Sequence, residues 1–461
     1  MMNQLQRVLA LAIAAMLVPM SAFADLYAAA AAYQKQDFAA SFQLYRELAE
    51  LGRREAQENL AAMYVDGEGV KRDNVLGYAW AVIAKENGAG GGVQNIIDQL
   101  EPHMASAARA RVAEVQSRFG MAALTERLLP TPYVPGTGIA APCAIASAAD
   151  PGTYYPREAK LAGVSGMVFL EATVAPDGRA RNVRVWYSLP TKIFDQPGRR
   201  LVFDNKYIPP RENGVAISCT IRFKVKFDIS VDGAKPAAST ELKKSTAETK
   251  TKAEAGDPSA QLLYGLLLET RSELNTKQEN VTSWFVKAAQ AGVPIAQYMV
   301  GIRSLSGVNE AKGFRWLQMA ADAGQPDAQL AMADYLLRRQ PDTEALAKAS
   351  SLLEKAAGSD SRDAKYQLAA LLATAPNGES RDPKRAIDLI NQVRQYVDFD
   401  PTAFEIRAAA EAMLGDFEAA LADQNIALEK AKKFRWDVAA QQDRLASYQA
   451  SEPWTGDLFA Y

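Results

Sequence analysis

The chain has 461 residues, too long for one hydrophobic core, so two or three folding units are expected. Lys and Arg together number 52 against 54 for Asp and Glu, a near-cancellation that excludes recruitment to nucleic acid or acidic membrane by overall charge. An apolar fraction of 48% is ordinary for a globular chain, and the abundant alanine favours helix.

At the N-terminus Arg7 precedes the apolar run VLALAIAAMLVPM, and Ala22-Phe23-Ala24 forms a small-x-small site. Residues 1–24 are therefore expected to be a secretory signal peptide, cut before Asp25. The run is 13 residues long, short of the roughly 20 that span a bilayer. A retained membrane anchor is the alternative reading. No cysteine follows the cut, so lipid attachment is not indicated.

Helical repeats come next. The segment beginning at Ala56 places Trp80 23 positions after Gln57, and the interval from Gln261 to Trp284 is again 23. Gln297 to Trp316 spans 19 positions, and Gln329 to Leu352 spans 23. Unit starts at Ala260, Ala296, Ala328 and Ala364 lie 36, 32 and 36 residues apart. Small residues at helix crossings and a large side chain before an Ala-Ala pair suit two antiparallel helices, which bury their apolar faces only when stacked. Gly88, Gly292, Gly324 and Gly358 fall where each helix is expected to stop in the left-handed cap conformation.

These residues resemble Sel-like repeats, a tetratricopeptide-related family. The unit at Ala56 is the nearest to the pattern, with Leu60, Tyr64, Gly67, Gly69, Val70, Asp73 and Trp80 in place. Residues 408–431 look more like a plain tetratricopeptide unit, with Gly415, Phe417, Ala420 and Ala427, and residues 32–52 read as an earlier half unit. Trp80, Trp284 and Trp316 read as packing residues.

Between the repeats the pattern changes. Residues 131–152 are rich in Pro, Gly and Ala and read as a linker. From Met167 to Val174 a strand is expected with Val168, Leu170, Ala172 and Val174 on one face. Pro176-Asp177-Gly178 is turn chemistry, and the return strand should put Val183, Val185 and Tyr187 inward against Asn182, Arg184 and Trp186. Residues 215–227, VAISCTIRFKVKF, alternate strictly, which predicts a strand buried on one face and solvated on the other. Cys143 and Cys219 are the two cysteines of the chain. In an exported protein they read as a disulfide closing a loop of 77 residues, a constraint of roughly 4 kcal/mol. Two free, buried thiols are the other reading.

Tyr155-Pro156, Ala159, Gly166 with Val168, Pro176-Asp177-Gly178, Val183, Ser188, Phe194, Tyr207 with Pro209, Gly214, Phe223 and Phe227 follow the order and spacing of the TonB C-terminal domain. This stretch resembles that family, which implies a small α/β domain with three main strands that binds partner peptides by lending a sheet edge. The edge strand expected to take a partner is Cys219, Thr220, Ile221, Arg222, Phe223, Lys224, Val225, Lys226 and Phe227. Pro197-Gly198 is expected to interrupt the middle helix. Arg222, Lys224 and Lys226 either guard an edge or meet an acidic partner segment. Full TonB proteins also carry an anchor with a functional His and a long Pro-rich spacer; residues 1–24 contain no His, and the chain has no such spacer.

His103 is the one histidine, in an amphipathic stretch remote in sequence from both cysteines, and the common nucleophile, zinc and phosphate signatures are missing. No enzyme, metal or cofactor is expected, and neither nucleic acid nor a small-molecule substrate is indicated. The fold class expected is mostly α: two α-solenoid arrays, residues 25–130 and 257–461, flanking an α/β domain at 153–230 with an antiparallel three-stranded sheet. Residues 231–256 are expected to be a second linker, with KKSTAETKTKAEAGDP at 243–258 solvated. Other envelope proteins or peptides are the expected partners. The alternative, a transducer for TonB-dependent transport, would add an outer-membrane transporter and keep residues 1–24 as anchor; an envelope hydrolase ranks below both.

Overall fold

The computed structural model describes residues 24–120, 122–124, 143–162, 164–190, 192–228, 240–305, 310–337, 342–375 and 380–454. The expected signal peptide lies outside these residues apart from Ala24, as do 131–142 and 231–239 of the two expected linkers. Among the described residues no helix is long and apolar enough to cross a membrane. The chain divides into two compact units, one from the described residues of 15–133 and 237–329, the other from those of 134–236 and 330–461.

The first unit opens with α1 (Ala24–Gln34), α2 (Phe38–Glu50), α3 (Arg54–Asp66), α4 (Asn74–Glu86), α5 (Gly91–Leu100) and α6 (Ser106–Phe119). Asp37 and Asp73 accept hydrogen bonds from the first free amides of α2 and α4, which fixes where those helices begin. The Gly-x-Gly turn between α3 and α4 needs its glycines. Gly67 caps α3 at φ +79°, and a Cβ on Gly69 would lie 2.0 Å from the Phe38 carbonyl oxygen. Trp80 is buried against the Phe119 ring, 5.2 Å between centroids.

The second unit begins with β1 (Ala144–Ser147), then α7 (Arg157–Leu161), β2 (Gly166–Val174), β3 (Ala180–Leu189), α8 (Asp195–Asp204), β4 (Lys206–Ile208), β5 (Arg211–Glu212), β6 (Val215–Ala216) and β7 (Cys219–Phe227). The main sheet is antiparallel in the order β3-β2-β7, with small pairs β1-β4 and β5-β6 beside it. Val168, Leu170, Ala172 and Val174 are all fully buried on one face of β2, beneath Phe194, Leu201 and Val202 of the α8 region. This fulfils the alternation read from the sequence.

Three expectations for this region are corrected. Pro197-Gly198 does not interrupt the helix, because α8 starts at Asp195 and Pro197 occupies its first turn, where a missing N–H breaks no helical bond. The strand expected over 215–227 is split: Ile217 N–H donates to the Pro210 carbonyl, leaving Val215–Ala216 in a short hairpin, and the long strand starts at Cys219. The return strand β3 is not solvated on its second face, since Asn182, Arg184 and Trp186 are buried.

Helices α9 (Thr240–Glu254), α10 (Pro258–Thr270), α11 (Val281–Gln290), α12 (Pro294–Ser304) and α13 (Glu310–Asp322) return to the first unit. The solvated linker expected at 243–258 is instead mostly helix: α9 buries Thr246 and Ala253, and Gln261 of α10 donates its side-chain amide to the Ala253 carbonyl at 3.3 Å. That bond recurs at the same spacing. Gln57 donates to Ala49, Gln297 to Ala289 and Gln329 to Ala321, each eight residues back, at 3.2–3.3 Å. The Ala-Gln signature thus marks a buried amide that satisfies a carbonyl at the end of the preceding helix.

The chain closes with α14 (Pro326–Leu337), α15 (Thr343–Gly358), α16 (Arg362–Thr374), α17 (Pro383–Val397), α18 (Pro401–Met413), α19 (Phe417–Lys433) and α20 (Ala439–Gln449), which from Leu330 onward belong to the second unit. Gly88, Gly292 and Gly324 take positive φ as expected. Gly358 does not: it is the last residue of α15, and Asp360 adopts φ +62° in its place.

Candidate interaction site

Strand β7 is the terminal strand of the main sheet among the described residues, paired with β2 without a bulge from Gly166↔Phe227 to Val174↔Cys219. Cys219, Ile221, Phe223, Val225 and Phe227 pack into the core beneath the sheet, the last three buried. Thr220, Arg222, Lys224 and Lys226 alternate with them, so the expected residues fall on two faces of one strand. Arg222 is already engaged on the second face: its Nε donates to Glu171 at 2.9 Å, and Glu171, fully buried, also accepts from Arg184 at 2.7 Å.

The family-motif residues build the frame around this strand. Tyr155, Phe194 and Phe227 meet at one end of the sheet with ring centroids 4.7–5.8 Å apart, and the Tyr155 hydroxyl donates to the Val164 carbonyl at 2.5 Å. Burial pushes the Tyr155 phenol above its ordinary range. Pro156 precedes α7 as its N-cap residue, and a Cβ on Gly166 would lie 2.3 Å from both the Leu189 carbonyl oxygen and the Phe194 ring. At the other end Pro176, Asp177 and Gly178 turn β2 into β3, with Gly178 N–H donating to the Ala175 carbonyl. A Cβ on Gly178 would lie 2.5 Å from the Tyr207 carbonyl oxygen and 3.8 Å from Pro209. Tyr207 is buried and donates its hydroxyl to Val202 at 2.9 Å.

Cys143 and Cys219 form a disulfide with 5.9 Å between their Cα atoms. It ties the start of β1 to the start of β7, and β1 in turn pairs with β4. His103 lies exposed in a short turn after α5.

Sequence reasoning missed the second face of the sheet. Arg184, Arg199 and Arg200 reach from the α/β domain to acids of the repeats, and Arg181 reaches Trp436. Arg199 pairs with Asp363 at 2.8 Å and Arg184 with Asp334, while Arg200 lies 3.5 Å from Asp398 at an exposed rim. Arg181 binds Asp177 through two hydrogen bonds of 2.9 and 2.7 Å and stacks 4.5 Å over Trp436. Burial opposes the Asp177 charge, but the Arg181 guanidinium outweighs it and holds the carboxyl below its usual range. Asp177 also accepts the Asp437 N–H at 2.7 Å, and Asn182 accepts from the Gln367 amide at 2.9 Å. Beside these, Phe203 packs against Phe399, Phe434 and Trp436. The arginines of RARNVR and GRR were the available signal; their acidic partners lie too far along the chain to be matched by pattern.

This arrangement defines a helical-repeat protein whose inserted sheet domain is seated on its own repeats. Residues 151–229 match the family described as Gram-negative bacterial TonB protein C-terminal, and residues 54–88 and 294–325 match the Sel1 repeat. The chain thus carries one stretch similar to the TonB C-terminal family and two stretches similar to the Sel1 repeat. The Sel1-repeat-containing protein YjcO of Escherichia coli (strain K12) is 32% identical over 118 residues, 26% of this chain and 51% of its own length. Uncharacterized protein YjcO of Shigella flexneri matches to the same extent, so the chain spans about half the length of these curated relatives. Among solved structures, c5321, a protective antigen of uropathogenic Escherichia coli with an SLR fold, is similar at 16% identity and a TM-score of 0.34, covering 90% of this chain and 79% of its own. A Sel1 repeat protein from Oxalobacter formigenes is similar at 19% identity and a TM-score of 0.31, covering 45% of this chain and 97% of its own.

Proposed function

We propose that this protein is an exported, periplasmic, non-catalytic interaction protein whose TonB C-terminal domain takes a partner segment as an added strand beside β7. The observation that carries this reading is the match of residues 151–229 to the TonB C-terminal family, built here on an antiparallel sheet in which β7 is a terminal strand among the described residues. Strand addition draws affinity from the main chain and selectivity from alternate side chains. The disulfide supports an oxidising compartment, in keeping with the signal peptide read at residues 1–24.

The reading is tested in cells with a photo-crosslinking amino acid placed at Thr220 or Lys226. Discrete adducts are expected from these two positions and not from Leu414, an exposed site on the repeats. Equal labelling at all three, or none from β7, rules strand addition out. N-terminal sequencing of the mature chain is expected to begin at Asp25; Met1 would instead favour an anchored form.

A further inference from the structure

Helix α8 places Asp195 and Arg199 one turn apart, against the beginnings of α16 and α18. Arg199 is buried, and its guanidinium donates to the Asp363 carboxylate at 2.8 Å and to the Val183 carbonyl. Tyr366 and Tyr396 close over it, their ring centroids 6.0 and 4.8 Å from the guanidinium carbon. Asp363 also accepts the Val185 main-chain N–H.

Two further carboxyls occupy the same chamber. Asp400 accepts from the Tyr366 hydroxyl at 3.1 Å and the Thr402 N–H at 3.0 Å. Asp195 has a side-chain hydrogen bond with Ser188, but its Oδ1 is buried without a hydrogen-bond partner among the described residues. The other charged group acting on the cluster from α16 is Arg362, which is exposed and stacks 5.2 Å over Tyr396. Glu405, further along α18, is paired with Arg444 at 2.5 Å, and Arg200 of α8 turns outward to Asp398. Three carboxyls therefore face one buried guanidinium. With all three ionised, the centre would hold excess negative charge at a buried place, which is costly.

We propose that this cluster is a proton-linked latch between the TonB C-terminal domain and the repeats of residues 342–454, closed while Asp195 carries a proton and loosened as it ionises. The orphaned Oδ1 of Asp195 is the atom that gains most from protonation. Burial pushes the Asp195 carboxyl above its usual range and the nearby Asp363 adds to this, while Arg199 and Arg362 only partly oppose it. Burial likewise raises Asp400 against the pull of Arg199. A carboxyl whose value is raised in the closed state supports closure fully at pH below the ordinary carboxylate range, and that support is lost as pH rises through the raised value. The Phe203 and Trp436 packing does not titrate, so the latch sets how often the contact opens rather than parting the two for good.

Hydrogen exchange of the full chain tests this at the Val185 amide, with amides of α3 and α4 as internal reference. After correction for base catalysis, protection at Val185 is expected to fall severalfold between pH 5 and pH 8 in the natural protein and to stay level in Asp195→Asn. Protection that does not vary with pH, or an equal fall in Asp195→Asn, overturns the latch. If the variant does not fold, carboxyl carbon titration of the natural chain replaces it: an aspartate titrating above the ordinary aspartate range and lost in Asp195→Glu is expected, and its absence overturns the proposal. These readouts do not involve β7, so they stand apart from the strand-addition test.

Discussion

Gly198 sits where α8 comes nearest to β2. A Cβ there would lie 2.5 Å from Val168 Cγ1 and 3.4 Å from the Leu170 side chain, both parts of a fully buried strand face. Within a helix, Gly→Ala ordinarily gains up to about 1 kcal/mol from backbone entropy. Here the clash reverses the sign, because overpacking a closed core costs about 1–3 kcal/mol. Gly198→Ala is therefore expected to lower stability by about 1–2 kcal/mol, read as a reduced denaturation midpoint at unchanged slope. The same substitution at Gly358, which is already helical and has nothing within 4 Å of its Cβ position, is expected to be neutral or stabilising. Both glycines stand out equally in the sequence, and only their surroundings separate them.

At the scale of elements, the disulfide joins two strands that differ greatly in support. β7 is anchored by nine residue pairs to β2, whereas β1 has every residue exposed and, among the described residues, pairs only with the three-residue β4. Loss of the cross-link should loosen β1 first. Cys143→Ser with Cys219→Ser is expected to cost about 2–4 kcal/mol and to abolish exchange protection in β1 while β2 keeps its own. Equal loss in both strands would show that β1 is integral to the sheet. The repeats were legible at this scale for a local reason. A helix pair of fixed length puts Gln and Trp at fixed offsets, so the 23-residue interval appears in the chain itself. What the interval did not reveal is why glutamine occupies that place, since the accepting carbonyl belongs to the backbone and leaves no trace in residue type. Helix α9 was missed because KKSTAETKTKAEAG has the composition of a solvated linker; its Ala253 is buried in a cluster with Ala260, Tyr264 and Leu268 of α10.

For the whole molecule, the α/β domain and the repeats that follow it share one core. Val202, Phe203 and Tyr207 cluster with Ala431 and Trp436, more than two hundred residues later. Trp436 lies under Arg181 and beside Phe203, so Trp436→Ala is expected to cost about 3–5 kcal/mol and to lower exchange protection in β3 and α19 together. Loss confined to α19 would mean that the domain folds on its own and merely rests on the repeats. The sequence by itself determined the two kinds of element and their order, because helix pairing and strand alternation are written as short periods along the chain. It also brought out the turn at Pro176-Asp177-Gly178 and the pairing of Cys143 with Cys219 as one of two readings. Only the tertiary structure decided which faces are covered. Arg199 and Asp363 stand 164 residues apart, and an arginine that will be buried against an acid looks, in sequence, like one that faces water.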